Sequence, residues 1–403
     1  MKPSHDALGS RAGLRRAAQG ASRAVPTIAL SAFGLLAALT LAKLLIYGLA
    51  AQPVGGVEQA FCQWDCEWYT HTIEAGYDRQ PRLRPDHDFT NWAFFPLFPL
   101  LARALKLATG LNAFWAGASV SVLCFAAFAA LSLRYRVLTR GAGARQTNWI
   151  VLLAVYPLSF YFFTPYSEAT YLLVTLLLLL ALRTDRLAGA GLATGLLTAT
   201  RPTGVLAIPY LAAERLWHAR LAFRRGCSPA ARLRALADCA FPLALAPLGI
   251  ALYMAYLYWL TGDALAFSHI QLAWERSFND PIRTLYWGLA KDDWPSLLDP
   301  HGPQSQSYAA SFVVLAAVAC SWLLWRRLWL EAWLLGTTVF LALLTGVFSM
   351  PRFVGTNPVF LLALGDGVDA IRSRTVRIGL AVLAVLLQGL ALSQWFVSSS
   401  ALM

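Results

Sequence analysis

Apolar runs of about 20 residues recur from one end of the chain to the other, separated by short basic clusters and by two long aromatic-rich stretches. A helix needs about that many apolar residues to cross the hydrocarbon core of a bilayer. Eleven spans are predicted, over approximately 26–51, 110–133, 147–163, 167–182, 188–200, 203–217, 236–260, 307–325, 328–348, 353–371 and 377–397. The fifth and sixth are short and meet at Arg201-Pro202. Read as one continuous helix, they would leave ten spans and invert everything after them. The predicted fold class is an all-α polytopic membrane bundle: a single domain over 26–403, preceded by a basic N-terminal segment, 1–25.

Charge chooses between the two counts. Lys and Arg concentrate on the cytoplasmic side of membrane proteins. Put the N-terminus in the cytoplasm and keep eleven spans. The segments on that side are then the N-terminus, Arg134–Arg145, Arg183–Arg186, Arg215–Arg234, Arg326–Arg327 and Arg372–Arg377, and they hold 22 of the 33 Lys and Arg. Arg215–Arg234 is the internal control, because it falls there only if the chain turns back at Arg201-Pro202. The C-terminus and two long loops, roughly 52–109 and 261–306, then face the other way. Loops of this length are uncommon unless functional. Within the first, Phe94 to Leu107 mixes aromatic and apolar residues with Arg103 and Lys106, and predicts a helix lying in the membrane interface.

Composition agrees. The chain is 58% apolar and 13% charged, against roughly 25% charged in soluble domains. A net charge of +12 invites a nucleic-acid reading, but the basic residues sit in clusters between spans, so the expected partner is the bilayer and not nucleic acid. The run from Val25 to Ala51 far exceeds a signal-peptide core of about 7–15 residues, so it is expected to remain as the first membrane helix. Of the six cysteines, Cys124, Cys239 and Cys320 fall in or beside spans and Cys227 in a basic loop. Cys62 and Cys66 share a loop expected in an oxidising compartment, and both a disulfide and two free thiols are open to them. Asp86-His87-Asp88 looks superficially like a metal cluster, but three adjacent residues do not easily converge on one ion, and no metal site is assigned.

The candidate chemistry lies on one face of this topology. The first loop opens with Phe61-Cys62-Gln63-Trp64-Asp65-Cys66-Glu67-Trp68-Tyr69. A carboxylate in a dry aromatic setting has a raised proton affinity and suits general-base work. Two readings of Asp65 stand: such a base, or the cap of a short helix within an ordinary interfacial aromatic belt. Glu168, Arg201 and Arg352 sit beside spans on the same face. Ionisable groups at membrane depth are costly and mark function by default, although a lone arginine can simply snorkel to headgroups. The second loop adds His269, Glu275 and Arg276, with Trp259 and Trp274, as candidates to contact sugar or phosphate; a solvated loop helix is the alternative. A carboxylate to deprotonate a hydroxyl, arginines for a phosphate and aromatics for a sugar face together describe a glycosyltransferase using a polyprenyl-phosphate sugar. A transporter or lipid flippase is the alternative; it is disfavoured because no internal repeat is found and the candidates cluster at one boundary. A non-enzymatic subunit would leave that clustering unexplained.

Trp64-Asp65-x-x-x-Tyr69, Ile73-Glu74-Ala75-Gly76-Tyr77 and Ala93-Phe94-Phe95-Pro96-Leu97-Phe98-Pro99 resemble the PIG-V-like family, the GPI mannosyltransferase II group and its bacterial relatives. Pro165-Tyr166-Ser167-Glu168, Ala199-Thr200-Arg201-Pro202-Thr203-Gly204 and Pro351-Arg352-Phe353 continue the order. The resemblance implies a GT-C membrane fold and an inverting transfer of a hexose, classically mannose, from a polyprenyl-phosphate donor, with no required metal or other cofactor. It implies Asp65 as the catalytic residue, and is consistent with Arg201 and Arg352 near the donor phosphate. Trp64, Tyr69, Glu168, His269, Glu275 and Arg276 are the expected substrate contacts. One departure is Gln63, where a basic residue is expected before Trp-Asp, so no phosphate contact is assigned there. A bacterial-type member would sit in the inner membrane with a periplasmic site, and would modify a glycolipid, polysaccharide or protein.

Overall fold

Prolines decide where this bundle departs from eleven uniform crossings. The computed structural model describes residues 34–80, 89–141, 145–224, 228–274, 276–294 and 304–398. Its helices are α1 (Gly34–Val54), α2 (Val57–Phe61), α3 (Asp65–Ala75), α4 (Leu97–Thr109), α5 (Ala113–Arg140), α6 (Gln146–Val155), α7 (Glu168–Arg183), α8 (Leu187–Thr198) and α9 (Ala207–Arg224). They continue as α10 (Pro229–Leu245), α11 (Leu248–Thr261), α12 (Ala266–His269), α13 (Pro281–Ala290), α14 (Gln306–Trp325), α15 (Trp329–Leu343), α16 (Met350–Gly355), α17 (Pro358–Ala370) and α18 (Arg374–Phe396). No β-strand occurs among the described residues. The protein is an all-helical, multi-pass membrane protein.

Each predicted span contains helix, but among the described residues only five stretches are long and apolar enough to cross unaided: α1, α5, the joined α10–α11, α14 and α18. The others are cut short. α6 has 10 residues and stops ahead of Pro157, α8 has 12 and stops ahead of Pro202, and the tenth span is split ahead of Pro358 into α16 and α17. Proline lacks the N–H a helix needs and biases the preceding residue towards extended backbone. The freed segments are buried in protein, as non-helical backbone at membrane depth must be: Thr164, Tyr166 and Ser167, between α6 and α7, are all fully buried.

Arg201 is extended (φ −157°, ψ 154°) and a 3-10 turn, Pro202–Leu206, separates α8 from α9, so the two are not one helix. Four of the expected cytoplasmic turns, at Arg134–Arg145, Arg183–Arg186, Arg326–Arg327 and Arg372–Arg377, meet at one end of the bundle. There Arg183 pairs with Glu331 at 2.6 Å, Arg136 with Asp369 at 2.5 Å, and Arg140 with Asp366. α7 links that end to the other: its 16 residues separate Arg183 from Glu168 by about 22 Å.

The described part of the first loop, 52–80 and 89–109, forms a cap over the second end. The interfacial helix is α4, starting at Leu97 because Phe94 is extended (φ −95°, ψ 106°). It buries Phe98 and Ala102, exposes Leu100 and Leu107, and is tied to α3 by Lys106–Glu74 at 3.1 Å. α18 clamps the loop from the far side: Trp395 is fully buried against Phe160 and Tyr161, and its indole N–H donates to the Phe61 carbonyl at 3.3 Å.

Candidate active site

Four breaks in the backbone bring the site together. Cys62 and Cys66 form a disulfide across the turn that starts α3. Inside that turn Trp64 takes a positive φ of 50°, a region that side chains with a Cβ rarely adopt. It aims Asp65, the first residue of α3, inward. Glu168 opens α7 just after Pro165, Arg201 stands in the extended turn between α8 and α9, and Arg352 sits in the short α16, entered through Ser349 at φ 63°. Residues separated by almost three hundred positions therefore converge at one end of the bundle.

They converge in contact. Arg352 Nη1 lies 2.6 Å from Asp65 Oδ2, and its Nε lies 2.8 Å from Glu168 Oε1. The same Glu168 oxygen is paired with Arg201 Nη2. Arg201 Nε donates to Ser167 Oγ at 3.1 Å, and the Tyr69 hydroxyl donates to the same Oγ at 2.8 Å. Aromatic faces complete the setting: the Arg352 guanidinium lies 5.4 Å from the Tyr166 ring, and Arg201 lies 5.5 Å from Tyr171 and 5.9 Å from Phe353. Glu168 is fully buried and Arg201 is 8% exposed, so the pairs are shielded from water at their base.

Asp65, Tyr69, Arg201, Arg276 and Arg352 line a cavity of about 230 Å³, together with Phe94, Phe267 and Phe353. Burial and the Glu168 carboxylate hold the Tyr69 phenol above its usual range, so it stays protonated and serves as a donor. The aromatic surround expected for Asp65 is present, but it is not dry. Its side chain is 23% exposed, and its nearest charge is the Arg352 cation. Nor does it cap α3: the N-cap, Trp64, has no side-chain capping bond, and the Asp65 carboxylate is directed to Arg352.

A search of solved structures finds a similar chain in ArnT from Cupriavidus metallidurans, solved bound to undecaprenyl phosphate. Identity is 13% and the TM-score 0.49; the match covers 87% of this chain and 63% of that one, so this chain spans under two thirds of its length. At that distance the likeness says nothing of substrate or chemistry. No protein-family model matches the chain, and no curated protein matches it.

The other expected site residues divide. Arg276 lines the cavity. Trp64 packs against the apolar core, and its indole nitrogen is buried without a hydrogen-bond partner. His269 is not brought in: its side chain is 66% exposed and is held by Asp263 at 2.7 Å, while Phe267, Ser268 and Gln271 of the same segment line the cavity. Glu275 and Asp86-His87-Asp88 lie outside the described residues. Gln63 does not face the cavity; its amide donates to the Gln59 carbonyl at 2.8 Å. The residue missed from sequence is Ser167. A fully buried hydroxyl directly before Glu168, it couples Tyr69 to Arg201. Its signal was there, a polar residue inside Pro165-Tyr166-Ser167-Glu168, but serine is too common at helix starts to be singled out.

Proposed function

We propose that this chain is a membrane glycosyltransferase of GT-C type that moves a hexose from a polyprenyl-phosphate donor to an acceptor hydroxyl. The sugar is mannose if the PIG-V-like motifs carry over, and the acceptor is a hydroxyl of a glycolipid, polysaccharide or protein. The active site faces the non-cytoplasmic side, the periplasm in a bacterial inner membrane. The observation that carries this reading is the chain of contacts Asp65–Arg352–Glu168–Arg201 at the wall of a membrane-end cavity.

Asp65 takes the proton of the acceptor hydroxyl. The acceptor oxygen forms a bond to the anomeric carbon as the bond from that carbon to the phosphate oxygen breaks on the opposite face. The configuration inverts, and the lipid leaves as a polyprenyl phosphate. Arginine guanidinium groups stabilise the negative charge gathering on that phosphate. Tyr69 and the Phe94 and Phe353 rings border the space a sugar would fill.

Purified protein reconstituted in vesicles with a radiolabelled polyprenyl-phosphate hexose and a mixed acceptor extract tests the reading. Stoichiometric release of polyprenyl phosphate with label moving to acceptor is the expected result. Label crossing the membrane still attached to its lipid, with no transfer, would make the protein a flippase instead.

A further inference from the structure

The ionisable groups around the cavity are not equally committed. Arg352 is shared between Asp65 and Glu168, and Arg201 is held by Glu168 and Ser167. An anion docking on either must compete with a carboxylate already in contact. Arg276 lines the same cavity and makes no ion pair among the described residues. Its guanidinium rests 5.8 Å from the Phe353 ring. Among the described residues, two carboxylates and three guanidiniums leave one positive charge over, and geometry puts that charge on Arg276.

The surrounding segment has the layout of a lipid exit. Asn279 N–H donates to the Leu344 carbonyl at 2.7 Å, pinning the strip after Arg276 to the end of α15. Phe278 also lines the cavity, yet is 81% exposed. α13 follows, an amphipathic helix whose Ile282 and Trp287 are 79% and 57% exposed and suit contact with lipid. A cation inside and an apolar rim two residues later, about 7 Å along the chain, match a phosphate followed by its first prenyl unit.

We infer that Arg276 is the anchor for the lipid phosphate, that the prenyl chain leaves past Phe278 into the bilayer, and that Arg201 is a positioning residue acting through Glu168 on Arg352. The inference rests on the transferase reading and reassigns the phosphate contact within it.

Binding of undecaprenyl phosphate and of undecaprenol to the full-length protein in nanodiscs tests it, using wild type, R276Q, R276K and R201K. Wild type is expected to prefer the phosphate. R276Q should weaken undecaprenyl phosphate by about tenfold or more, the worth of a charge-assisted hydrogen bond, with undecaprenol binding and melting temperature unchanged. R276K should recover part of the loss. In transfer assays R276Q should raise the donor KM, whereas R201K should lower kcat at an unchanged donor KM. Retention of the phosphate preference in R276Q, or its loss in R201K, overturns the assignment and leaves the transferase standing. A wild-type protein that does not distinguish phosphate from alcohol removes the transferase reading itself.

Discussion

Glu168→Gln separates architecture from chemistry at this site. The substitution keeps the shape and removes the charge of a fully buried side chain that touches two arginines. Taking one partner from a buried ion pair costs about 3–5 kcal/mol, because the remaining charge is left without compensation. The cost is not doubled here: Arg352 keeps Asp65 at 2.6 Å, so Arg201 is the group left stranded, with only Ser167 and aromatic faces around it. At roughly 2 °C per kcal/mol for a large chain, the melting transition should fall by about 6 °C or more. Arg352 also loses the contact at its Nε, so Asp65 is less well oriented, and kcat should fall by about 10²-fold, the scale of an ångström's misplacement. Asp65→Asn is the control. Asp65 is 23% exposed, so its loss should cost far less stability but more activity. Differential scanning fluorimetry in detergent, paired with sugar transfer in vesicles, reads both quantities. Glu168→Gln melting within a degree of wild type would refute the buried bridge.

Other expectations follow from the same geometry. A Cβ added at Gly204 would stand 2.1 Å from the Leu197 carbonyl oxygen, so Gly204→Ala must shift the turn that presents Arg201; it should cost about 1–3 kcal/mol and reduce transfer, read by melting and activity together. The Cys62–Cys66 disulfide braces the turn holding Trp64 at φ 50°. The paired serine variant should lose about 2 kcal/mol and part of its kcat, with donor KM little changed, by steady-state kinetics on the purified variant. His269→Ala should leave transfer within about twofold of wild type, because the residue is exposed and bound to Asp263 outside the cavity lining.

The spans were legible because membrane helices are written in long apolar runs, and the reversal at Arg201-Pro202 because Arg215–Arg234 had to fall with the other basic turns. Asp65, Glu168, Arg201 and Arg352 were legible as costly groups at one boundary. How they pair was not. Nothing in the sequence says that one carboxylate serves two arginines, or that Arg276 is left over; both depend on where α7, α8 and α16 end. The second loop misled at one residue. α12 and the 3-10 turn Ile270–Trp274 that follows it turn Phe267, Ser268 and Gln271 to the cavity and His269 away. The disulfide was undecidable for a similar reason: whether a separation of four residues closes depends on the backbone between them, where Trp64 stands at φ 50°.

The central claim is that Asp65 removes the acceptor proton at a lipid-facing site, and initial rates of transfer by Asp65→Asn in vesicles loaded with polyprenyl-phosphate hexose test it most directly. The variant should bind donor as wild type does and transfer at least about 10²-fold more slowly, the usual contribution of a positioned base. Transfer at the wild-type rate would contradict the account.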